Sequence, residues 1–140
     1  MLSLIKKMSK VTSASGGTSL IIMLIKPGTD LSLTSNKLIS EKSIAANIKS
    51  KTVRKDVKTA LKAAQYLIKN REFNKAPVNG LVLCAGMTCV DDQAMLIEPP
   101  KPIEKFDYIC DRSFHLDSII EMYKSERNFG IAILTLTSPA

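Results

Sequence analysis

The segment from Lys51 to Asn70 constrains the fold of this chain more than any other, because its apolar and charged residues follow a helical period. At 100° per residue the apolar side chains fall on one side of a helix. They are Val53, Val57, Ala60, Leu61, Ala64, Leu67 and Ile68. Five lysines fall on the opposite side, namely Lys51, Lys55, Lys58, Lys62 and Lys69. The sequence therefore predicts a helix that packs through one face and is positively charged on the other.

The layer on which this helix packs is indicated by short apolar runs that are typical of strands. They lie at 19–25, 81–85, 94–98, 105–110 and 131–136. Weaker helical patterns cover 31–42, where Leu31, Leu38 and Ile39 are expected to face inward, and 115–126. A short N-terminal helix is expected to pack through Leu4, Ile5 and Met8.

This order of elements predicts an α+β fold with α/β layering, in which helices pack on a mostly antiparallel sheet of four to five strands. The helices at 31–42 and 51–70 are expected to form a protruding hairpin, with residues 47–50 at its tip. We expect residues 1–140 to form a single domain, since 140 residues suffice for one modest core.

The excess positive charge of the chain lies in one stretch. Between Asn47 and Lys75 there are nine Lys or Arg residues and two acidic residues, a surplus of seven that equals the net charge of the whole chain. A surplus confined in this way indicates a surface that meets a polyanion such as RNA.

Cysteine usage and hydropathy suggest where the chain works. The three cysteines are an odd number without a CxxC pair, which favours a reduced, intracellular protein. The longest apolar run, Leu20 to Ile25, is far too short to span a membrane. We therefore expect a cytoplasmic protein, without a membrane partner, that acts as a monomer.

No set of residues in the sequence makes a convincing active site. There is no phosphate-binding glycine loop, and Cys84 and Cys89 have no second pair that would complete a zinc site. We expect no metal, no cofactor and no enzymatic activity. One catalytic alternative stays open, a small cysteine-dependent enzyme that uses Cys110 and His115, for which a low thiol pKa at Cys110 would be required.

The polar and aromatic residues favour binding instead. Tyr108 and Cys110 are two apart on a predicted strand and so face the same side. Beside a basic hairpin, Tyr108 is a candidate for stacking on an unpaired base. Thr18 offers a hydroxyl at a loop-to-strand junction, and Glu41 could accept a hydrogen bond from a base amino group.

Four separated motifs also resemble those of one family. They are Gly17-Thr18-Ser19; Glu41, six residues before Asn47; Asn47-Ile48-Lys49-Ser50; and Tyr108-Ile109-Cys110-Asp111-Arg112-Ser113-Phe114, which has the form YxCxxxF. In this order they are similar to the N-terminal, codon-reading domain of the eukaryotic and archaeal class I translation release factors. The similarity runs from about residue 4 to Leu134.

The resemblance implies recognition of stop codons in the ribosomal decoding site. By similarity, the residues that bind the codon are Gly17, Thr18, Ser19, Glu41, Asn47, Ile48, Lys49, Ser50, Tyr108, Cys110 and Phe114. Lys51, Arg54, Lys55 and Lys58 would contact ribosomal RNA or its phosphates, and Lys49 is a candidate for hydroxylation. The implied partners are the stop codon of an mRNA and the rRNA of the small ribosomal subunit.

The 140 residues contain no Gly-Gly-Gln sequence. The resemblance therefore implies that the hydrolytic domain of the family is absent here, as is the domain that binds the class II release GTPase. The alternative function is a codon-independent module of the same fold, which binds RNA or the ribosome by shape, for example in ribosome rescue.

Overall fold

A computed structural model describes residues 1–71 and 74–125 of the chain. Within these ranges the helices are α1 (Leu2–Ser9), α2 (Leu31–Ala45), α3 (Lys51–Lys69) and α4 (117–125), and the strands are β1 (Leu20–Ile25), β2 (Leu81–Met87), β3 (Asp92–Ile97) and β4 (Asp107–Asp111). The strands form one antiparallel sheet in the order β3-β2-β1-β4. The α+β fold, the antiparallel sheet and the helical hairpin are confirmed; the strand predicted at 131–136 lies outside the described residues.

The central strand β1 divides the interior into two cores because its side chains alternate between the two faces of the sheet. Ile21, Met23 and Ile25 pack beneath the α2–α3 hairpin. Leu20 and Ile22 pack on the other face, against residues of α1 and α4. The sheet is thus covered on both faces, and only one of these faces carries the hairpin.

Helix α3 follows its sequence pattern closely. Ser50 caps its N-terminus, where the Oγ atom accepts a hydrogen bond from the backbone N–H of Val53 at 3.3 Å. The buried face is formed by Val57, Ala60, Leu61, Ala64 and Ile68. This face packs against α2 and, among the strands, mainly against β2, so the opposite, lysine-rich face is left towards solvent.

Helix α2 differs from its prediction in two respects. It continues to Ala45, which is buried, whereas the pattern suggested an end near Lys42. The expectation that Ile39 faces inward is wrong, because this side chain is 52% exposed. The packed stripe runs through Leu31 and Leu38, and a residue next to Leu38 is turned about 100° away from it.

Smaller corrections apply elsewhere. Leu4 is 40% exposed, while its neighbours Ile5 and Met8 are buried as expected. Strand β4 begins at Asp107 rather than at Lys105, and α4 begins at 117 rather than at 115. In residues 1–71 and 74–125 no helix is both long enough and apolar enough to cross a membrane.

Candidate nucleic-acid interface

The backbone of the hairpin tip is fixed by contacts with the hairpin itself, while two of its side chains are exposed. A guanidinium N–H of Arg54 donates to the carbonyl oxygen of Ile48 at 3.0 Å, and the half-buried Ile48 side chain packs against the hairpin core. Asn47 and Lys49 on either side are exposed. Since Ser50 caps α3 directly after them, the tip presents an amide and an ammonium group from a fixed backbone.

The loop before β1 is docked on the first turn of α3. A Cβ atom built on Gly17 would lie less than 3.0 Å from Cγ2 of Val53, so the loop and the helix are too close here for any residue with a side chain. The hydroxyl of Ser13 donates to the carbonyl oxygen of Gly17 at 2.6 Å and holds the loop from its other side. Thr18, the next residue, is exposed beside this contact.

Strand β4 brings Tyr108 and Cys110 to the same face of the sheet as the hairpin. Both side chains are half-buried and pack against the hairpin core. The Cys110 thiol donates to the carbonyl oxygen of Thr18 at 3.2 Å, which joins β4 to the docked loop. The hairpin tip, the loop before β1 and strand β4 therefore meet at one end of the domain, and each of them carries one of the sequence motifs.

Electrostatics keep both of these β4 side chains protonated. Burial raises the pKa of Cys110 to about 11, with further contributions from the negative charges of Glu41 and Asp111. Burial likewise raises the pKa of Tyr108, and Cys110 and Glu41 add to the effect. At neutral pH both groups are therefore neutral: the S–H of Cys110 is engaged with the carbonyl oxygen of Thr18, and the phenol of Tyr108 keeps an O–H that can donate a hydrogen bond.

Lys37 belongs to this cluster, although the sequence did not single it out. Its Nζ atom lies 2.8 Å from Oε1 of Glu41 and 5.6 Å from the centroid of the Tyr108 ring. The available signal was the spacing of four residues between Lys37 and Glu41, which puts opposite charges on one face of a helix. Nothing in the sequence showed that Tyr108 lies opposite that face.

Two residues assigned to codon binding are buried. Phe114 is 2% exposed and belongs to the core on the other face of the sheet, against α1 and α4. Ser19 is fully buried, and its hydroxyl has no hydrogen-bond partner among the described residues. Their assignment as direct contacts is corrected, because neither side chain can reach a ligand in this structure.

The cysteine-dependent alternative is disfavoured by the same geometry. The Nε2 atom of His115 lies 2.7 Å from Oδ2 of Asp111, while the Cys110 thiol is bonded to a backbone carbonyl. A thiol pKa of about 11 is the reverse of the lowered value that a nucleophilic cysteine needs. Within the described part of the chain, no three His, Cys, Asp or Glu side chains are grouped so that they could hold a metal ion.

A basic groove of about 430 Å³ runs along the outer face of α3. Its lining consists of Lys42, Lys51, Arg54, Lys55, Lys58, Thr59 and Lys62. This set contains the four predicted phosphate contacts and adds Lys62 and, from the end of α2, Lys42. Because six cations line the groove without an acidic side chain among them, it is suited to a phosphate backbone. Arg54 connects the groove to the tip through its bond to Ile48.

The fold and this site define an α+β domain whose projecting hairpin carries an exposed polar tip and a basic groove. Residues 2–124 match the family described as eRF1 domain 1, and the chain belongs to this family.

The relatives of the chain are translation factors. It is 36% identical over 122 residues to the peptide chain release factor subunit 1 of Archaeoglobus fulgidus, covering 84% of this chain and 30% of that protein. It is 35% identical over 123 residues to the eukaryotic peptide chain release factor subunit 1 of Schizosaccharomyces pombe, covering 84% of this chain and 28% of that protein. The chain thus spans less than a third of the length of these relatives.

Solved structures agree with the sequence relatives. The crystal structure of the archaeal translation termination factor aRF1 matches with a TM-score of 0.76 and 35% identity, over 86% of this chain and 33% of that one. A structure titled only as an archaeal protein matches with a TM-score of 0.79, at the same identity.

Proposed function

We propose that this chain recognises stop codons in the decoding site of the small ribosomal subunit during translation termination, and that it does not itself hydrolyse peptidyl-tRNA. One observation carries the proposal. The hairpin tip, the loop around Thr18 and the β4 residues Tyr108 and Cys110 come together at one end of the domain, joined by the contacts of Gly17 with Val53 and of Cys110 with Thr18.

The polar groups at this end suit the chemistry of a stop codon. All three stop codons begin with uridine, whose carbonyl oxygens accept hydrogen bonds; the Lys49 ammonium and the Asn47 amide are donors. The purines that follow present amino groups and ring nitrogens. Glu41 is an acceptor, Thr18 both donates and accepts, and the Cys110 sulfur, whose proton is bonded to the carbonyl oxygen of Thr18, is a weak acceptor. The cluster therefore offers both donors and acceptors to the purines.

Tyr108 adds a flat surface. Its ring is half-buried and fixed on β4, so it can stack on an unpaired base with little loss of side-chain freedom. The ring does not distinguish one base from another, and discrimination is left to the polar groups around it.

The basic groove supplies affinity rather than specificity. Lys51, Arg54, Lys55 and Lys58 would contact phosphates of ribosomal RNA, and the groove lies along the same helix whose N-terminus carries the tip. Phosphate contacts position a domain, whereas base contacts read the sequence. We therefore expect strong salt dependence of binding together with codon dependence.

The domain organisation follows from this proposal. We assign codon recognition to residues 1–140 as a single domain, and we assign neither hydrolysis nor binding of the class II release GTPase to it. We further propose that the domain acts as a monomer in the cytoplasm and that Lys49, exposed at the tip, is the candidate for hydroxylation.

The proposal is tested by competition with a full-length release factor on ribosomes programmed with UAA, UAG or UGA. The chain should inhibit peptide release at each stop codon. An excess of stop-codon ribosomes should relieve this inhibition, whereas an excess of sense-codon ribosomes should not. If both relieve it equally and the effect depends only on salt, the chain is a codon-independent ribosome-binding module and codon recognition is refuted.

Matched lysine variants sharpen the test. Lys49→Met should raise the half-inhibiting concentration by on the order of tenfold at all three stop codons, the size expected for one charge-assisted hydrogen bond. Lys7→Met removes an equal charge from an exposed position of α1, on the other face of the sheet, and should leave inhibition unchanged. Equal effects of the two variants would show that net charge, not the tip, determines binding.

A further inference from the structure

We propose that Lys37, if the chain recognises codons as proposed above, determines specificity by enabling the site to accept guanine at the second or third codon position. The proposal concerns a residue outside the four motifs. It rests on the place of the Lys37 ammonium between Glu41 and Tyr108, two of the groups that would meet the purines.

The geometry leaves part of this ammonium available. Lys37 and Glu41 lie one turn apart on α2, with 2.8 Å between Nζ and Oε1. The Lys37 side chain is 40% exposed and that of Glu41 16%, so the lysine is the more accessible partner. An ammonium group has three donors, and the bond to Glu41 occupies one of them.

Guanine and adenine place different demands on such a pair. A carboxylate alone accepts from the N6 amino group of adenine but repels the O6 atom that guanine has in the same position. A lysine donates to O6 and N7 of guanine. With Lys37 beside Glu41, the site contains a donor and an acceptor 2.8 Å apart. After a small shift of the base or of either side chain, Glu41 can accept from the amino group of adenine, or Lys37 can donate to the carbonyl oxygen of guanine.

The position over Tyr108 supports the same role. At 5.6 Å from the ring centroid, Nζ lies within the range of a cation–π interaction, which keeps the lysine close to the ring on which a base would stack. A purely structural ion pair on an exposed helix contributes little to stability. Removing the Lys37 charge should therefore alter codon preference more than folding.

The experiment measures the half-inhibiting concentration of the 140-residue chain at UAA, UAG and UGA in the termination assay. For Lys37→Met we expect a loss at UAG and UGA that exceeds the loss at UAA by on the order of tenfold. Lys37→Arg, which keeps a cationic donor, should retain most binding at the guanine codons. Circular dichroism and the midpoint of urea denaturation establish that each variant is folded. If Lys37→Met does not fold, Lys37→Gln takes its place.

Lys42→Met is the matched control, because Lys42 lies on the same helix but lines the basic groove. It should weaken inhibition at the three codons by one common factor. If the half-inhibiting concentrations of Lys37→Met at the three codons keep the same ratios as in the wild type, the role of Lys37 is refuted, whereas codon recognition is not. A wild-type chain that does not distinguish stop from sense codons would refute the proposed function, and the role of Lys37 with it.

Discussion

The contact between Gly17 and Val53 makes a quantitative prediction about how the loop before β1 is held on the hairpin. In Gly17→Ala the new Cβ would lie less than 3.0 Å from Cγ2 of Val53, whereas carbon atoms in contact are about 3.5–4.0 Å apart. A valine within a helix has one strongly preferred χ1 rotamer, so Cγ2 cannot easily turn away. We expect Gly17→Ala to lower the free energy of unfolding by about 1–3 kcal/mol, the usual cost of overpacking.

Val53→Ala provides the compensating change. It removes Cγ2, after which the nearest atoms to the added methyl group are Ser15 Oγ at 3.5 Å and the Cβ of residue 53 at 3.6 Å, both ordinary contacts. Alone, this variant loses two methyl groups from a half-buried position, which costs about 1 kcal/mol. The double variant should also lose about 1 kcal/mol, so the two changes are coupled by about 1–3 kcal/mol.

Urea denaturation followed by circular dichroism measures this cycle. With a slope of about 2 kcal/mol per molar, a loss of 2 kcal/mol lowers the midpoint by about 1 M. If the loop had room for a methyl group, Gly17→Ala would instead raise the midpoint, because alanine reduces the conformational entropy of the unfolded chain. Additive effects of the two substitutions, or a raised midpoint in Gly17→Ala, would refute the packing argument.

Three further predictions concern capping, backbone geometry and thiol chemistry. Ser50→Ala should lower the free energy of unfolding by about 1 kcal/mol in urea denaturation, and Ser50→Asp should not, since aspartate also caps a helix. Gly80→Ala should yield little folded protein by circular dichroism, because φ is +81° and the added Cβ would lie within 3.0 Å of the carbonyl oxygen of Ile25. At pH 8 iodoacetamide should modify Cys89 first, since hydrogen bonds lower the pKa of this exposed thiol, and burial raises that of Cys84 to about 12. Because the thiolate is the reactive form, raising the pH should increase the rate at Cys84 only far above pH 8, and equal rates in the folded chain would contradict this.

Sequence reasoning succeeded where one local rule was sufficient. Helix α3 was predicted as 51–70 and ends at Lys69, because a long amphipathic period specifies it without help from the rest of the fold. Tyr108 and Cys110 share a face because residues two apart on a strand always do. The C-terminal end of α2 was harder to predict, since the helical pattern of this segment is weak and the burial of Ala45 depends on packing at the tip of the hairpin.

Contacts between distant segments could not be predicted from periodicity. No local pattern shows that Gly17 meets Val53, or that Lys37 faces Tyr108, since each pair joins different elements of the fold. Phe114 was assigned to codon binding by resemblance alone. It lies beyond the end of β4 at Asp111, so alternation along the strand does not determine its face, and it packs in the core on the other side of the sheet.

The burial of Ser19 and Phe114 shows that not every residue of a motif faces the site. Thr18 and Ser19 are neighbours, yet one is exposed beside the hairpin and the other is fully buried. Within the motif of β4, Cys110 faces the hairpin while Phe114 packs in the opposite core against α1 and α4. If Thr18 and Cys110 meet the codon as proposed, each of these two motifs combines a residue on the hairpin side with a buried residue that cannot reach a ligand. Lys37 lies outside every motif, although it shares α2 with the motif residue Glu41 and is paired with it, so a site residue can be missed one helical turn from a motif.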